Sequence, residues 1–61
     1  MVNKIAEVRE KTGMSQKDLA KELKISHWYL NKIERGKVDP GVKLAVRIAR
    51  ALNTTLNDLF F

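Results

Sequence analysis

Apolar residues recur along the chain at helical spacing, and residues with capping or helix-stopping chemistry separate the segments. Ile5, Val8 and Thr12 share one face of a helix expected from about Lys4 to Thr12, with Asn3 able to cap it and Gly13 able to close it. Leu19, Ala20 and Leu23 form the apolar face of a second helix, opened by Gln16 behind a Ser15/Asp18 capping box. Lys24 and Ile25 make a turn, Ser26 is the next N-cap, and a third helix over 27–35 carries Leu30 and Ile33 inward before Gly36 stops it. Asp39-Pro40 reads as N-cap and first residue of a fourth helix, although Gly41 allows a start one or two residues later. Val42, Ala45, Val46, Ala49 and Leu52 form its broad apolar face, with Ile48 at the edge and Leu44 facing away. Asn53 is a left-handed stop, and Thr55 with Asp58 repeats the capping pattern ahead of Leu56, Leu59, Phe60 and Phe61. No stretch alternates with the period of a half-buried strand, and there is no internal repeat, low-complexity segment or linker. The expected fold is all-α: five short helices in a single domain over 1–61, with two helices meeting at a tight turn over about 16–35.

The wheel of the third helix gives this fold a chemical direction. Leu30 and Ile33 point to the core, while Trp28, Asn31, Lys32 and Arg35 point the opposite way and His27 lies on one flank. That outer stripe contains cation, amide and indole but no acid, which suits a polyanion: Lys and Arg take phosphates or guanine edges, and Asn pairs with adenine. Trp28 stands opposite the core, where it can meet a thymine methyl, a sugar or a partner protein, or else fold back on the domain's own surface. Tyr29 lies on the other flank, half-buried, with a phosphate within reach of its hydroxyl. Arg35, Lys37 and Lys43 lie at and beyond the helix end and suit the phosphate backbone. On helix 1, Arg9 sits about 40° from Ile5 on the core side and needs an acid; Glu34 is the candidate, unless both side chains snorkel to water.

Met14-Ser15-Gln16, Leu19-Ala20, Ile25-Ser26, Leu30 and Ile33-Glu34-Arg35-Gly36-Lys37 follow one another in a familiar order, continued by Pro40, Ala49-Arg50-Ala51-Leu52 and Thr55-Leu56-Asn57-Asp58-Leu59. The chain so resembles the lambda-repressor/Cro-like (XRE-type) helix-turn-helix family over nearly its whole length. The resemblance implies that helices 2 and 3 are the helix-turn-helix and that helix 3 reads DNA. It places Gln16 on the DNA backbone and His27 and Lys32 at base edges beside Asn31, and it supports pairing of Arg9 with Glu34. Two residues depart from the family's pattern: Lys24 stands where glycine is frequent in the turn, and Gly41 where serine is frequent. In αL a non-glycine residue costs about 1 kcal/mol, part of which a lysine recovers from the helix C-terminus.

Composition narrows the function further. A chain of 61 residues buries only about 60% of its unfolded surface. It has no cysteine and one histidine, so neither a disulfide nor a zinc staple is expected, and a reducing compartment, by default the cytoplasm, fits. The net charge of +5 favours an acidic partner. No apolar run is long enough to span a membrane, and no secretory signal is evident. Catalysis is poorly supported: there is no thiol, no glycine-rich loop, no matched histidine and acid, and no metal or other cofactor or small-molecule substrate is implied. The expected function is sequence-specific binding of double-stranded DNA by a small transcriptional regulator, a repressor or a recruiting factor, with His27, Trp28, Asn31 and Lys32 reading bases. The alternative is a protein-interaction module on the same scaffold, such as an antitoxin or a coactivator-like adaptor. A homodimer is expected at least on DNA, since one recognition helix covers too few base pairs for a genome-scale search. Leu44, Ile48, Leu56, Leu59, Phe60 and Phe61 are the candidate contact residues, unless Leu56, Leu59 and Phe60 close the monomer's own core.

Overall fold

The computed structural model describes residues 2–61 as five α-helices without a strand: α1 (Ile5–Lys11), α2 (Gln16–Leu23), α3 (His27–Glu34), α4 (Val42–Ala51) and α5 (Leu56–Phe60). The helix ends have local causes. After α1, α2, α3 and α4 the chain enters the left-handed region at Gly13, Lys24, Gly36 and Asn53, with φ of 78°, 59°, 74° and 54°. Each stop closes a Schellman motif, in which the residue after the left-handed one bonds five residues back: Met14 N to Arg9 O, Ile25 N to Ala20 O, Lys37 N to Lys32 O and Thr54 N to Ala49 O. Two of these positions are glycine and one is asparagine, residues that tolerate αL; Lys24 is the exception.

The starts are capped from side chains. Ser15, Ser26 and Thr55 accept from the backbone N–H of Asp18, Tyr29 and Asp58 at 2.9–3.1 Å. Asn3 Oδ1 accepts from Ile5 N at 3.0 Å, and its amide donates to Ile33 O at 2.9 Å, so the α1 start is tied to the end of α3. Helix 4 begins later than Asp39-Pro40 predicts: Gly41, extended at φ −67° and ψ 167°, holds the N-cap position without a side-chain bond, and Val42 is the first helical residue.

The core consists of Ile5, Leu19, Leu23, Leu30, Ile33, Ile48 and Leu59, all essentially inaccessible, with Ala20, Ala45, Ala49 and Leu52 between them. Three expectations for the apolar face of α4 are corrected. Ile48 lies in the core rather than at its edge, and Val42 is 78% exposed. The face centred on Ala45, Ile48, Ala49 and Leu52 is rotated by about 45° from the face that Val42 and Val46 suggested, because two valines outside the core drew the apolar average toward themselves. Leu44 does not face fully away: it is half-buried and packs against the core. Arg47 Nη2 donates to Leu23 O at 2.6 Å, so an exposed helix-4 cation satisfies a carbonyl at the open end of α2.

Candidate nucleic-acid interface

The short turn through Lys24 and Ile25 sets α3 against α2 so that Leu30 and Ile33 seal the core and the opposite face stands in solvent. His27 and Arg35 are exposed, Trp28 is 67% exposed, and Asn31 and Lys32 are partly so. Lys37, and Lys43 in the first turn of α4, extend the exposed cations. Tyr29 is half-buried and packs against the core. Glu34 is the sole acid between His27 and Lys37. Its side chain is only 4% exposed, so the outer face of α3 keeps its positive character.

Arg9 is what holds Glu34 inward. Arg9 Nε donates to Glu34 Oε2 at 2.9 Å and Nη2 to Glu34 Oε1 at 3.2 Å, the forked geometry that a guanidinium and a carboxylate favour. Arg9 Nη1 also donates to Met14 O at 2.9 Å. Glu34 Oε1 receives a further bond from Gln16 Nε2 at 3.1 Å, and Gln16 Oε1 meets His27 Nε2. The direction of this chain follows from its ends. An ionised carboxylate only accepts, so the Gln16 amide turns its NH2 toward Glu34; its oxygen then faces His27, whose Nε2 must carry the hydrogen. The α1–α3 ion pair thus orients the side chain at the start of α2, and that side chain orients the first residue of α3.

A second pair organises the middle of the face. Lys32 Nζ lies 4.1 Å from the centroid of the Trp28 ring, one helical turn away. Gln16, His27, Trp28 and Asn31 line an open cleft of about 400 Å³ beside it. The structure therefore brings together four of the residues singled out from the sequence, with Lys32 on the indole at their edge. Arg35, Lys37 and Lys43 lie outside that cleft.

The residues assigned to a partner surface separate. Ile48 and Leu59 are fully buried in the protein's own core and leave that surface, because they close α4 and α5 onto α1–α3. Leu44 and Phe60 are half-buried against the core, while Leu56 is 36% and Phe61 88% exposed. An apolar groove of about 180 Å³ joins Leu56, Phe60 and Phe61 to Pro40, Val42 and Ala45. Val42 and Pro40 line this groove as well, although the sequence pattern puts Val42 on the core face of α4.

No group of three or more His, Cys, Asp or Glu residues among those described is placed to hold a metal ion. No helix among them is long and apolar enough to cross a membrane.

Comparison with known proteins matches residues 5–59 to the helix-turn-helix family HTH_3. An uncharacterised HTH-type transcriptional regulator of Archaeoglobus fulgidus is 40% identical over 60 residues, covering 98% of this chain and 86% of the relative. Another, from Methanocaldococcus jannaschii, is also 40% identical, with 98% and 91% covered. One from Bacillus subtilis is 31% identical over 61 residues, covering 100% and 92%.

Proposed function

The chain belongs to the XRE-type helix-turn-helix family, and from that premise we propose that it is a cytoplasmic transcriptional regulator that binds double-stranded DNA sequence-specifically with α3 in the major groove. The observation that carries this reading is the acid-free outer face of α3, kept so by the burial of Glu34 against Arg9. His27, Trp28 and Asn31 enter the groove at base edges, with Asn31 suited to adenine N6 and N7. Arg35, Lys37 and Lys43 meet phosphates, which fix register without reading sequence. The Gln16 amide has two hydrogens: one meets Glu34, and in this reading the other serves a phosphate at the start of α2. Bound at a promoter, the protein acts by occlusion or recruitment.

The working unit in this reading is a homodimer on DNA, with two copies presenting their α3 helices about 34–36 Å apart on one face of the duplex. Its contact surface is built around Val42, Leu56 and Phe61, at the rim of the apolar groove, with Phe60 behind them. Selection of bound sites from a random DNA pool tests the proposal, because a two-fold symmetric consensus supports both specificity and the dimer. Failure to enrich any sequence, together with binding that does not weaken as salt is raised, refutes it in favour of a protein-interaction module on this scaffold.

A further inference from the structure

The outer face of α3 carries one large apolar group among cations and amides, and one of those cations lies against it. Trp28 is 67% exposed, yet the Lys32 ammonium stands 4.1 Å from its ring centroid. Residues four apart on a helix meet by geometry, and an ammonium over an indole is drawn to the ring's negative face. The Lys32 charge is thereby directed onto one face of the ring and favours this orientation of the indole. Trp28 also borders the cleft shared with Gln16, His27 and Asn31. A solvent-facing indole beside a cleft offers its open face to an apolar group, as tryptophans at interfaces do. In the major groove one base feature is apolar, the C5 methyl of thymine.

We propose that Trp28 reads a thymine methyl, that Asn31 reads an adenine beside it, and that Lys32 is a positioning residue that holds the indole rather than a reader of bases. The proposal rests on the DNA-binding reading above and names the base atom which that reading leaves open. Trp28 and Asn31 are three residues apart and both border the cleft, so the two recognise neighbouring features of a short A·T-containing step. A sugar contact by Trp28 would be indifferent to the methyl, since every nucleotide offers the same sugar.

The test removes one methyl at a time. In the DNA selected from the random pool, each thymine is replaced in turn by deoxyuridine, which lacks only the C5 methyl, and affinity is measured. For the unaltered protein we expect one position per half-site where the replacement weakens binding about fourfold, the scale of burying one methyl. Trp28→Ala should bind the thymine and uracil duplexes equally well, and Trp28→Leu should retain part of the difference. Both variants alter an exposed position, so a melting temperature near that of the unaltered protein verifies their fold. Lys32→Ala should shrink the methyl effect, and Lys32→Arg, whose planar guanidinium also stacks on indole, should restore it. Tight, sequence-specific binding that tolerates uracil at every position overturns this proposal and leaves the DNA reading intact. A methyl effect that survives Trp28→Ala also overturns it. Absence of any specific binding overturns both.

Discussion

The bond between Arg9 and Glu34 is the contact whose loss should be felt most widely. Both groups are nearly out of water, at 12% and 4% side-chain exposure, and the pair is forked at 2.9 and 3.2 Å. Glu34→Leu leaves the guanidinium with Met14 O but no countercharge. Arg9→Met leaves the carboxylate with the Gln16 amide alone of the two partners described. Breaking one side of such a buried pair costs about 3–5 kcal/mol. For a domain of this size, whose whole stability is on the order of 3–9 kcal/mol, either single variant should lose about a third of its stability or more. At about 4–8 °C per kcal/mol, each melting temperature should fall by more than about 12 °C. The double variant removes both charges and replaces them with apolar groups, so it should be much more stable than the sum of the two losses implies, with a coupling of about 2–3 kcal/mol. Urea and thermal unfolding of the four proteins measure that coupling, at low temperature if a single variant is marginal. Additivity within about 0.5 kcal/mol would refute the reasoning, because it would mean that water or other groups already satisfy each charge alone.

Other perturbations separate the roles of neighbouring residues. Lys24→Gly should raise stability by up to about 1 kcal/mol in thermal unfolding, since Lys24 holds φ 59° where glycine has no steric cost; DNA affinity should barely change, and a lower melting temperature would show that the lysine charge at the α2 end outweighs its backbone cost. DNA affinity should fall with salt at a log–log slope of about −4.5 if some five phosphates are neutralised, and Arg35→Ala or Lys43→Ala should weaken all sequences alike and make the slope shallower by about 2, since the dimer loses one phosphate contact from each copy. Phe61→Ala should weaken dimerisation on a palindromic site in sedimentation with little loss of stability, whereas Leu59→Ala, at 0% exposure, should cost about 2–5 kcal/mol; a one-to-one complex across a wide concentration range, unaltered by Phe61→Ala, would exclude the dimer.

How much of this was legible depended on how far apart in sequence the interacting groups stand. A cap spans three residues, so Ser15, Ser26 and Thr55 could be read directly and fall where the α2, α3 and α5 starts are. The left-handed stops at Gly13, Gly36 and Asn53 are equally local. Helix 4 was harder because its apolar residues serve two surfaces. Ala45, Ile48, Ala49 and Leu52 enter the core, while Val42 borders the outer groove. A wheel averages over both, and a partner surface drawn from that average wrongly takes in Ile48.

The recognition face has the same difficulty in a form that matters for function. A wheel position says that Lys32 points outward; it does not say that its ammonium is already engaged by Trp28. That pair was within reach of sequence, since aromatic and cation stand four apart. The chain from Glu34 through Gln16 to His27 was not, because it crosses 18 and then 11 residues and depends on how α2 meets α3. Each pairing changes what a substitution can report. In the proposed DNA complex, loss of Gln16 would remove a phosphate contact and also release the His27 ring, and loss of Lys32 would release Trp28. Alanine scanning of α2 and α3 would therefore assign to Gln16 and Lys32 specificity that, in this proposal, is exercised by their neighbours. Only paired substitutions, Gln16 with His27 and Lys32 with Trp28, can separate the group that touches DNA from the group that holds it there.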